Sequence, residues 1–336
     1  MNQDKTTRQI RALGLCSGGL DSILSALVLR EQGIEVSWVS FETPFFNAEA
    51  AKKASRQTGV PLIVKDITPI YMEMMRAPKA GFGKNMNPCM DCHAMMFAQA
   101  GEIMKAEGFD FLFSGEVMGQ RPKSQNKNAL RYVEKNSGMD GYILRPLCAK
   151  VLPETQVEKE GLVDREQLLD INGRSRKVQM ALADKFGIKD YPSPAGGCLL
   201  TDKGFSDRLK DLLYVQKTED ARQLHLLKSG RHFRLSEGCK LIVGKNRGDN
   251  KRIMNLYDPE VHIRLRHADM PGPDALLFGT ITEDDLMAAA RITATYTKAK
   301  AGDKTRIRIY HGERTRDLDV ITPKGGSFSD LLISKG

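Results

Sequence analysis

The sequence contains no run of about eighteen apolar residues, the length that a membrane-spanning helix requires. Its first ten residues, Met1 to Ile10, also lack the apolar segment of a secretory signal. Together these absences predict a cytoplasmic protein. In that compartment the six cysteines are expected as metal ligands, catalytic groups or buried thiols rather than as structural disulfides.

Two common nucleotide-binding motifs are also absent, the Gly-Lys-Ser/Thr ending of a Walker loop and Gly-x-Gly-x-x-Gly. The chain has instead Leu13-Gly-Leu-Cys-Ser-Gly-Gly-Leu-Asp-Ser22. The apolar run from Ile10 to Cys16 predicts a strand, and the apolar spacing from Leu20 to Arg30 predicts a helix. Adjacent glycines let the backbone approach a polyphosphate, and a helix N-terminus favours negative charge. The alternative is a glycine turn that binds no ligand.

The segment Ser-Gly-Gly-Leu-Asp-Ser, residues 17–22, resembles the PP-loop of the N-type ATP pyrophosphatases, which split ATP to AMP and pyrophosphate. The resemblance implies an ATP site with Mg²⁺ neutralising the pyrophosphate. Its expected residues are Ser17, Gly18, Gly19, Asp21 and Ser22. Asp21 is the candidate for organising Mg²⁺, and helix capping is the alternative role for this residue.

Apolar segments alternate with helical patterns through the N-terminal part of the chain, and this rhythm predicts an α/β fold with a doubly wound parallel sheet. Ligands of such sheets bind beyond the carboxyl ends of the strands. Phe41 and Gly115 follow or end two predicted strands, so both are expected near the PP-loop. Phe41 is expected to pack either beside an adenine or in the core.

The loop from Ser114 to Gln125 is rich in hydrogen-bond donors, and Gln120 is expected to contact phosphate or nucleobase. An ordinary solvated loop is the alternative. This loop is similar to the Gly-Glu-x-x-Gly-Gln-x-x-Ser-Gln segment of the ThiI-type tRNA 4-thiouridine synthetases, and Leu144-Arg-Pro-Leu147 resembles a second motif of that family. The similarity runs from about residue 10 to about residue 215. It implies adenylation of a uridine carbonyl oxygen in tRNA followed by sulfur transfer.

Cysteines form the next pattern. Asn87-Pro-Cys-Met-Asp-Cys-His93 places Cys89 and Cys92 at a helix start, where the helix dipole is expected to lower thiol pKa values. Cys198 follows in a loop rich in proline and glycine. Resemblance to iron-sulfur-dependent tRNA thiolases implies that Cys89, Cys92 and Cys198 bind a 4Fe-4S cluster, with Cys89 and Cys198 catalytic. The alternatives are zinc with His93 as fourth ligand, a persulfide resolved by a second cysteine, and plain buried thiols. A cysteine desulfurase or free sulfide would supply the sulfur.

The net charge of +9 is uneven along the chain, because 20 Lys and Arg face only 14 Asp and Glu from His225 to the end. Such a basic segment suggests a polyanionic partner such as RNA. Its pattern predicts an α+β domain, and Arg231-His-Phe-Arg-Leu-Ser and Leu241 to Asn250 resemble the NFACT-type RNA-binding domain. The resemblance implies four phosphate contacts, with solvated charge as the alternative: Lys245, Arg247, Lys251 and Arg252.

The sequence therefore predicts a PP-loop sulfurtransferase domain over residues 1–215 and a smaller NFACT-like domain over residues 216–336. The predicted function is ATP-dependent thiolation of tRNA. Two other functions stay open at this point: a non-catalytic RNA-binding protein whose PP-loop senses ATP, and an amidating PP-loop ligase.

Overall fold

The computed structural model describes residues 8–121, 123–193 and 198–334. The chain folds into two compact units, Met1–Cys198 and Leu199–Gly336. The sequence predicts a domain boundary after residue 215, whereas the boundary in the structure lies after Cys198, so residues 199–215 belong to the second unit. No helix in the described ranges has the length and apolar character needed to cross a membrane.

The first unit is built on a five-stranded parallel sheet. Its strands are β1 (Arg11–Leu15), β2 (Glu35–Glu42), β3 (Leu62–Asp66), β4 (Phe111–Ser114) and β5 (Ile143–Leu144). They lie in the order β3-β2-β1-β4-β5, and every neighbouring pair is parallel. The order reverses between β1 and β4, which confirms the predicted doubly wound α/β fold.

Helices connect these strands, and further helices follow β5. Those that connect strands are α1 (Leu20–Glu31), α2 (Glu49–Thr58), α3 (Thr68–Arg76), α4 (Cys89–Glu107) and α5 (Lys127–Ser137), and those after β5 are α6 (Gln156–Lys159) and α7 (Lys177–Lys185). The core of the sheet is apolar on both faces, and Trp38 and Phe113 are fully buried in it. Because α4 already begins at Cys89, both cysteines of the Cys-x-x-Cys pair lie in its first turn.

The second unit is an antiparallel sheet with helices on it. Its strands are β6 (Arg231–Ser236), β7 (Cys239–Val243), β8 (Ile263–His267), β9 (Ala275–Gly279), β10 (Lys304–His311) and β11 (Arg314–Ile321), in the order β11-β10-β8-β9-β7-β6. Its helices are α8 (Lys203–Lys210), α9 (Ala221–Leu226), α10 (Arg247–Asn255) and α11 (Glu283–Thr295). The predicted α+β class is confirmed.

The two sheet faces of this unit are covered differently. On one face α11 buries Leu286 and Ile292 against strand residues such as Leu265 and Ile307. On the other face Leu226 of α9 and Ile253 of α10 pack with Ile242, Leu276 and Phe278, which lie on β7 and β9. Apolar burial therefore continues across one face and stops part-way across the other.

One predicted helix is wrong. The apolar spacing from Phe205 to Leu227 predicts a single helix, but α8 ends at Lys210, a π-helix spans Asp211–Val215, and α9 begins only at Ala221. The buried Asp211 carboxylate binds Arg234 at 2.7 Å and Lys240 at 3.0 Å. Helical backbone nevertheless continues through Asp211, and it ends after Gln216 because Lys217 has φ of +53°, outside the helical region.

Candidate active site

The PP-loop and the loop after β4 meet where the strand order reverses. Leu15 at the end of β1 lies opposite Ser114 at the end of β4. A Cβ atom at Gly115 would stand 2.4 Å from the carbonyl carbon of Asp21, so only glycine lets this loop touch the first turn of α1. Ligands of doubly wound sheets bind at such a reversal point. The structure thus brings together the two segments that the sequence analysis assigned to ATP.

The two adjacent glycines of the PP-loop have different roles. Gly18 has φ of +74°, and a Cβ there would lie 2.2 Å from the carbonyl carbon of Ala50. Glycine is therefore required at residue 18 by the protein's own backbone. Gly19 has φ of −77° and ψ of 160°, which any residue adopts. Within the described structure, the only heavy atom near its virtual Cβ is Ser17 Oγ, at 3.3 Å.

Helix α1 begins with amides that no capping side chain covers. Its N-cap residue is Gly19, and the first intrahelical bond runs from Ile23 N to Gly19 O at 3.2 Å. The exposed Ser17 hydroxyl accepts a bond from Gly19 N at 3.3 Å, and the buried Ser22 hydroxyl donates to Gly19 O at 2.8 Å. An uncapped helix start beside an open glycine is suited to bind phosphate.

Asp21 provides a carboxylate at this helix start. Its Oδ2 atom accepts a bond from Gln120 Nε2 at 2.8 Å, and its Oδ1 atom is buried without a partner among the described residues. Burial raises the pKa of Asp21, while the Gln120 bond, the charges of Arg176 and Arg121, and the amide of Gln179 act in the opposite direction. Because Gly19 is the N-cap, Asp21 does not cap α1. A carboxylate oxygen with no protein partner fits the oxygen ligands that Mg²⁺ prefers.

Residues on and just before α7 complete this polar cluster, and the sequence analysis gave them no role. Gln179 is fully buried and its Nε2 donates to Gln120 Oε1 at 3.5 Å. Two more buried polar atoms of this cluster lack a partner in the described part of the chain: Arg176 Nε and Gln179 Oε1. A glutamine inside an otherwise apolar helix face was the available sequence signal. Several unpaired polar atoms near one carboxylate indicate a site for a polar ligand.

Phe41 lies in β2 and is 3% exposed. This position agrees with the core-packing alternative for its ring. Contact with an adenine at this residue stays a prediction.

A buried carboxylate, Glu116, ties the loop after β4 to the cysteine helix. Its Oε1 atom lies 2.9 Å from His93 Nδ1, and its Oε2 atom accepts a bond from Arg145 Nε at 3.0 Å. Burial raises the pKa of Glu116, but the charge of Arg145 and the contact with His93 outweigh it and lower this pKa to about 2. The carboxylate is therefore ionised at neutral pH and holds both partners in place.

Cys89 and Cys92 lie in the first turn of α4, and Asn87 Nδ2 donates to Cys89 Sγ at 3.3 Å. The lowered pKa expected from the helix dipole does not occur at Cys92. Burial is the main cause that raises the pKa of Cys92 to about 12, the neighbouring Cys198 adds to it, and a hydrogen bond from Tyr71 opposes it only in part. Cys92 is therefore a protonated thiol at neutral pH.

Cys89 and Cys198 both lie close enough to Cys92 to raise its pKa, so the three cysteines of the expected cluster are neighbours. Among the described residues, however, no group of three His, Cys, Asp or Glu side chains is arranged to hold a metal ion. The glycine and proline segment 194–197 before Cys198 lies outside the described residues. None of the six cysteines, all of which lie among the described residues, forms a disulfide, and Cys16, Cys148 and Cys239 are buried.

The four basic residues assigned to RNA lie before and within α10. Lys245, Arg247 and Lys251 are exposed, and no described acidic side chain pairs with them. Arg252 differs, because its guanidinium lies 2.5 Å from Asp249 Oδ1 and also donates to Ser229 Oγ. Three of the four therefore offer unpaired charge, and Arg252 is part of the domain's own bonding.

Two family models match separate segments of the chain. Residues 7–151 match the family model described as thiamine biosynthesis protein (ThiI). Residues 230–324 match the NFACT protein RNA binding domain. The two resemblances predicted from the motifs are confirmed, each over its own segment.

The curated relatives that match this chain include tRNA-specific 2-thiouridylases. The tRNA-specific 2-thiouridylase MnmA 1 of Syntrophus aciditrophicus is 25% identical over 226 residues, which cover 62% of this chain and 57% of that protein. The tRNA-specific 2-thiouridylase MnmA of Thermus thermophilus is 25% identical over 233 residues, covering 60% and 58%. The chain thus spans less than two thirds of the length of these relatives. A solved structure, a predicted tRNA methyltransferase subunit from Methanocaldococcus jannaschii, has a TM-score of 0.30 at 17% identity over 41% of this chain and 67% of that one.

Proposed function

We propose that this protein is an ATP-dependent tRNA sulfurtransferase. It activates a uridine carbonyl oxygen with AMP and replaces that oxygen with sulfur. The observation that carries the proposal is Asp21, whose buried Oδ1 atom has no described partner at an uncapped helix start. The thiouridylase names of the curated relatives and the RNA-binding family match of residues 230–324 support tRNA as substrate.

In the first step the uridine oxygen attacks the α-phosphorus of ATP, a phosphorus–oxygen bond forms, and pyrophosphate leaves. The amides at the start of α1 bind phosphate oxygens, and the open side of Gly19 lets them approach. Mg²⁺ on Asp21 would neutralise charge on the departing pyrophosphate. Gln120 holds Asp21 in position through its 2.8 Å bond, so the carboxylate is oriented before the nucleotide binds.

In the second step a persulfide on Cys198 attacks the activated carbon. The carbon–sulfur bond forms, the carbon–oxygen bond breaks, and AMP leaves. The thiolate of Cys89 then cleaves the sulfur–sulfur bond, which releases the thiolated uridine and leaves a Cys89–Cys198 disulfide for an external dithiol to reduce. Cys92 is given no part in these steps, because its pKa of about 12 keeps its thiol protonated and poorly nucleophilic. A cysteine desulfurase would load the persulfide.

The 4Fe-4S cluster stays a prediction. The three thiols are neighbours, yet the described residues include no ligating group of three, so no step here passes through a cluster. A cluster would supply an iron that carries sulfide, and free sulfide would then be the donor. Anaerobic purification followed by absorption spectroscopy and by iron and zinc analysis distinguishes cluster, zinc and free thiols.

The proposal is tested by RNA-dependent release of pyrophosphate from ATP. The substitution Asp21→Asn keeps the shape of the side chain and the partner of Gln120 but removes the charge. Turnover is expected to fall roughly 100-fold or more, with ATP affinity changed less, because the charge acts on the leaving group. Asp184→Asn, at an exposed carboxylate on α7, is the matched control. Wild-type protein that binds ATP but releases no pyrophosphate with tRNA would contradict the proposal and favour an ATP-sensing RNA-binding protein.

A further inference from the structure

Part of one sheet face in the second unit is left without a covering helix. Leu276 on β9 lies under the α9 and α10 layer, and its neighbour across the sheet on the same face is Arg264 of β8. From β8 outward this face carries polar and charged side chains. We call it the arginine face, and it consists of Arg264, Arg266, Lys304, Arg306, Arg308 and Tyr310.

Like charges are placed opposite each other on this face. Arg266 of β8 is in direct register with Arg308 of β10, and directly opposed side chains of like charge destabilise a sheet. Arg308 is compensated by Asp317, whose Oδ1 atom lies 2.8 Å from its Nε atom. Arg266 is exposed, and no acidic side chain in the described ranges pairs with it. An anionic ligand would relieve this repulsion.

The other cations of the arginine face are compensated only in part. Lys304 and Arg306 share one carboxylate, that of Asp319, at 3.2 and 3.6 Å. Arg264 pairs with Asp274 at 2.6 Å, and its guanidinium lies 5.1 Å from the centre of the Tyr310 ring. Five cations therefore face three carboxylates, and the excess is positive.

This face continues into the basic start of α10. Asn250 of α10 accepts a bond from Asp274 N at 3.2 Å and donates to Gly272 O at 3.3 Å. The same Asp274 holds Arg264, so the loop between β8 and β9 joins the helix to the arginine face. The exposed Lys245, Arg247 and Lys251 thus extend the same basic surface.

We infer that the arginine face, together with Lys245, Arg247 and Lys251, binds the phosphate backbone of RNA. This inference rests on the proposed function, in which the second unit binds tRNA. Guanidinium groups bind phosphate oxygens through paired donors. Arg306 and Arg308 are two residues apart on one strand, roughly 6.8 Å along it, so they reach successive points of an extended anion. Because these contacts are to phosphate, the binding is independent of base sequence.

The test measures the affinity of the full-length protein for tRNA over a series of salt concentrations, by fluorescence anisotropy. Arg266→Ala and Arg306→Ala are each expected to weaken binding roughly five- to tenfold and to reduce the slope of log Kd against log salt by about 1. The control is Arg316→Ala. Arg316 lies on β11 and is also exposed, but it points to the other side, where it meets Glu283 of α11 at 3.4 Å.

Arg266→Lys keeps the charge and is expected to keep the salt slope. Thermal unfolding of each variant shows whether the fold is intact, and Arg266 has no described ion pair to lose. This inference is overturned if Arg266→Ala and Arg306→Ala both leave the tRNA affinity and the salt slope unchanged, or if Arg316→Ala loses as much affinity as they do. Either result still leaves the wild-type protein as a tRNA-binding protein. Failure of the wild-type protein to bind tRNA overturns the proposed function and this inference with it.

Discussion

The substitution Gly19→Ala separates nucleotide binding from folding. The backbone at Gly19 suits any residue, and an added methyl group meets only Ser17 Oγ in the described structure. The stability of the fold is therefore expected to change by less than about 1 kcal/mol. The methyl group would occupy the space through which phosphate reaches the α1 amides. Loss of one amide bond to a charged phosphate costs about 1.5 to 3 kcal/mol, which corresponds to roughly 10- to 150-fold weaker ATP binding.

Titration calorimetry with ATP measures this loss, and thermal unfolding checks the fold. Two further glycine variants provide the comparison. Gly18→Ala forces a residue with φ of +74° against the backbone of Ala50, so it is expected to destabilise the first unit and reports on folding. Gly325→Ala meets no atom within 4 Å among the described residues and is expected to change neither property. Normal ATP affinity in a folded Gly19→Ala protein would refute the phosphate site at this helix start.

Three other predictions follow from the cysteines, a buried lysine and the α10 cations. Cys198→Ala is expected to abolish thiolation while adenylation continues, and Cys239→Ala, at a buried thiol, is expected to preserve both activities. If the Cys198→Ala protein still thiolates tRNA, Cys198 takes no part in the reaction. Burial lowers the pKa of Lys240 to about 8 from 10.5. Between pH 8 and 10.5 the folded protein therefore binds fewer protons than the unfolded chain, so the free energy of unfolding in urea should rise with pH over this range. The Lys240→Met variant should lack the part of the rise that Lys240 causes. A stability profile against pH identical to that of the wild type would contradict the lowered pKa of Lys240. Lys251→Ala should weaken tRNA binding without a change in Tm, whereas Arg252→Ala should lower Tm because it breaks the Asp249 pair.

Much of the fold could be predicted because local patterns agree with the tertiary structure. The strand and helix around residues 17–19 were predicted nearly to their ends, since apolar residues there recur with strand and helix periods. The proximity of Gly115 to the PP-loop also followed, because parallel strands end at one edge of the sheet. In the second unit the sequence predicts strands at 233–235, 240–243, 275–280 and 306–310, but none at β8 or β11. In β8, Ile263, Leu265 and His267 nevertheless alternate with two exposed or half-buried arginines.

Long-range contacts could not be predicted. The ionised Glu116 binds His93 and Arg145, which are 23 and 29 residues away in sequence. Nothing in the local pattern pairs them, although an arginine between Leu144 and Leu147 was a signal that a buried charge needs a partner. The raised pKa of Cys92 is also a tertiary effect, because burial and Cys198 determine it rather than the helix start. The end of the helix at Gln216 is likewise not determined by local propensity.

The most direct test of the central claim is mass spectrometry of the nucleosides from tRNA that has been incubated with this protein. The reaction contains ATP, Mg²⁺ and a cysteine desulfurase with cysteine, and a parallel reaction omits ATP. We expect thiolated uridine only in the complete reaction, with its amount greatly reduced for Asp21→Asn and absent for Cys198→Ala. Thiouridine formed equally without ATP, or none formed by a protein that binds both ATP and tRNA, would contradict the account.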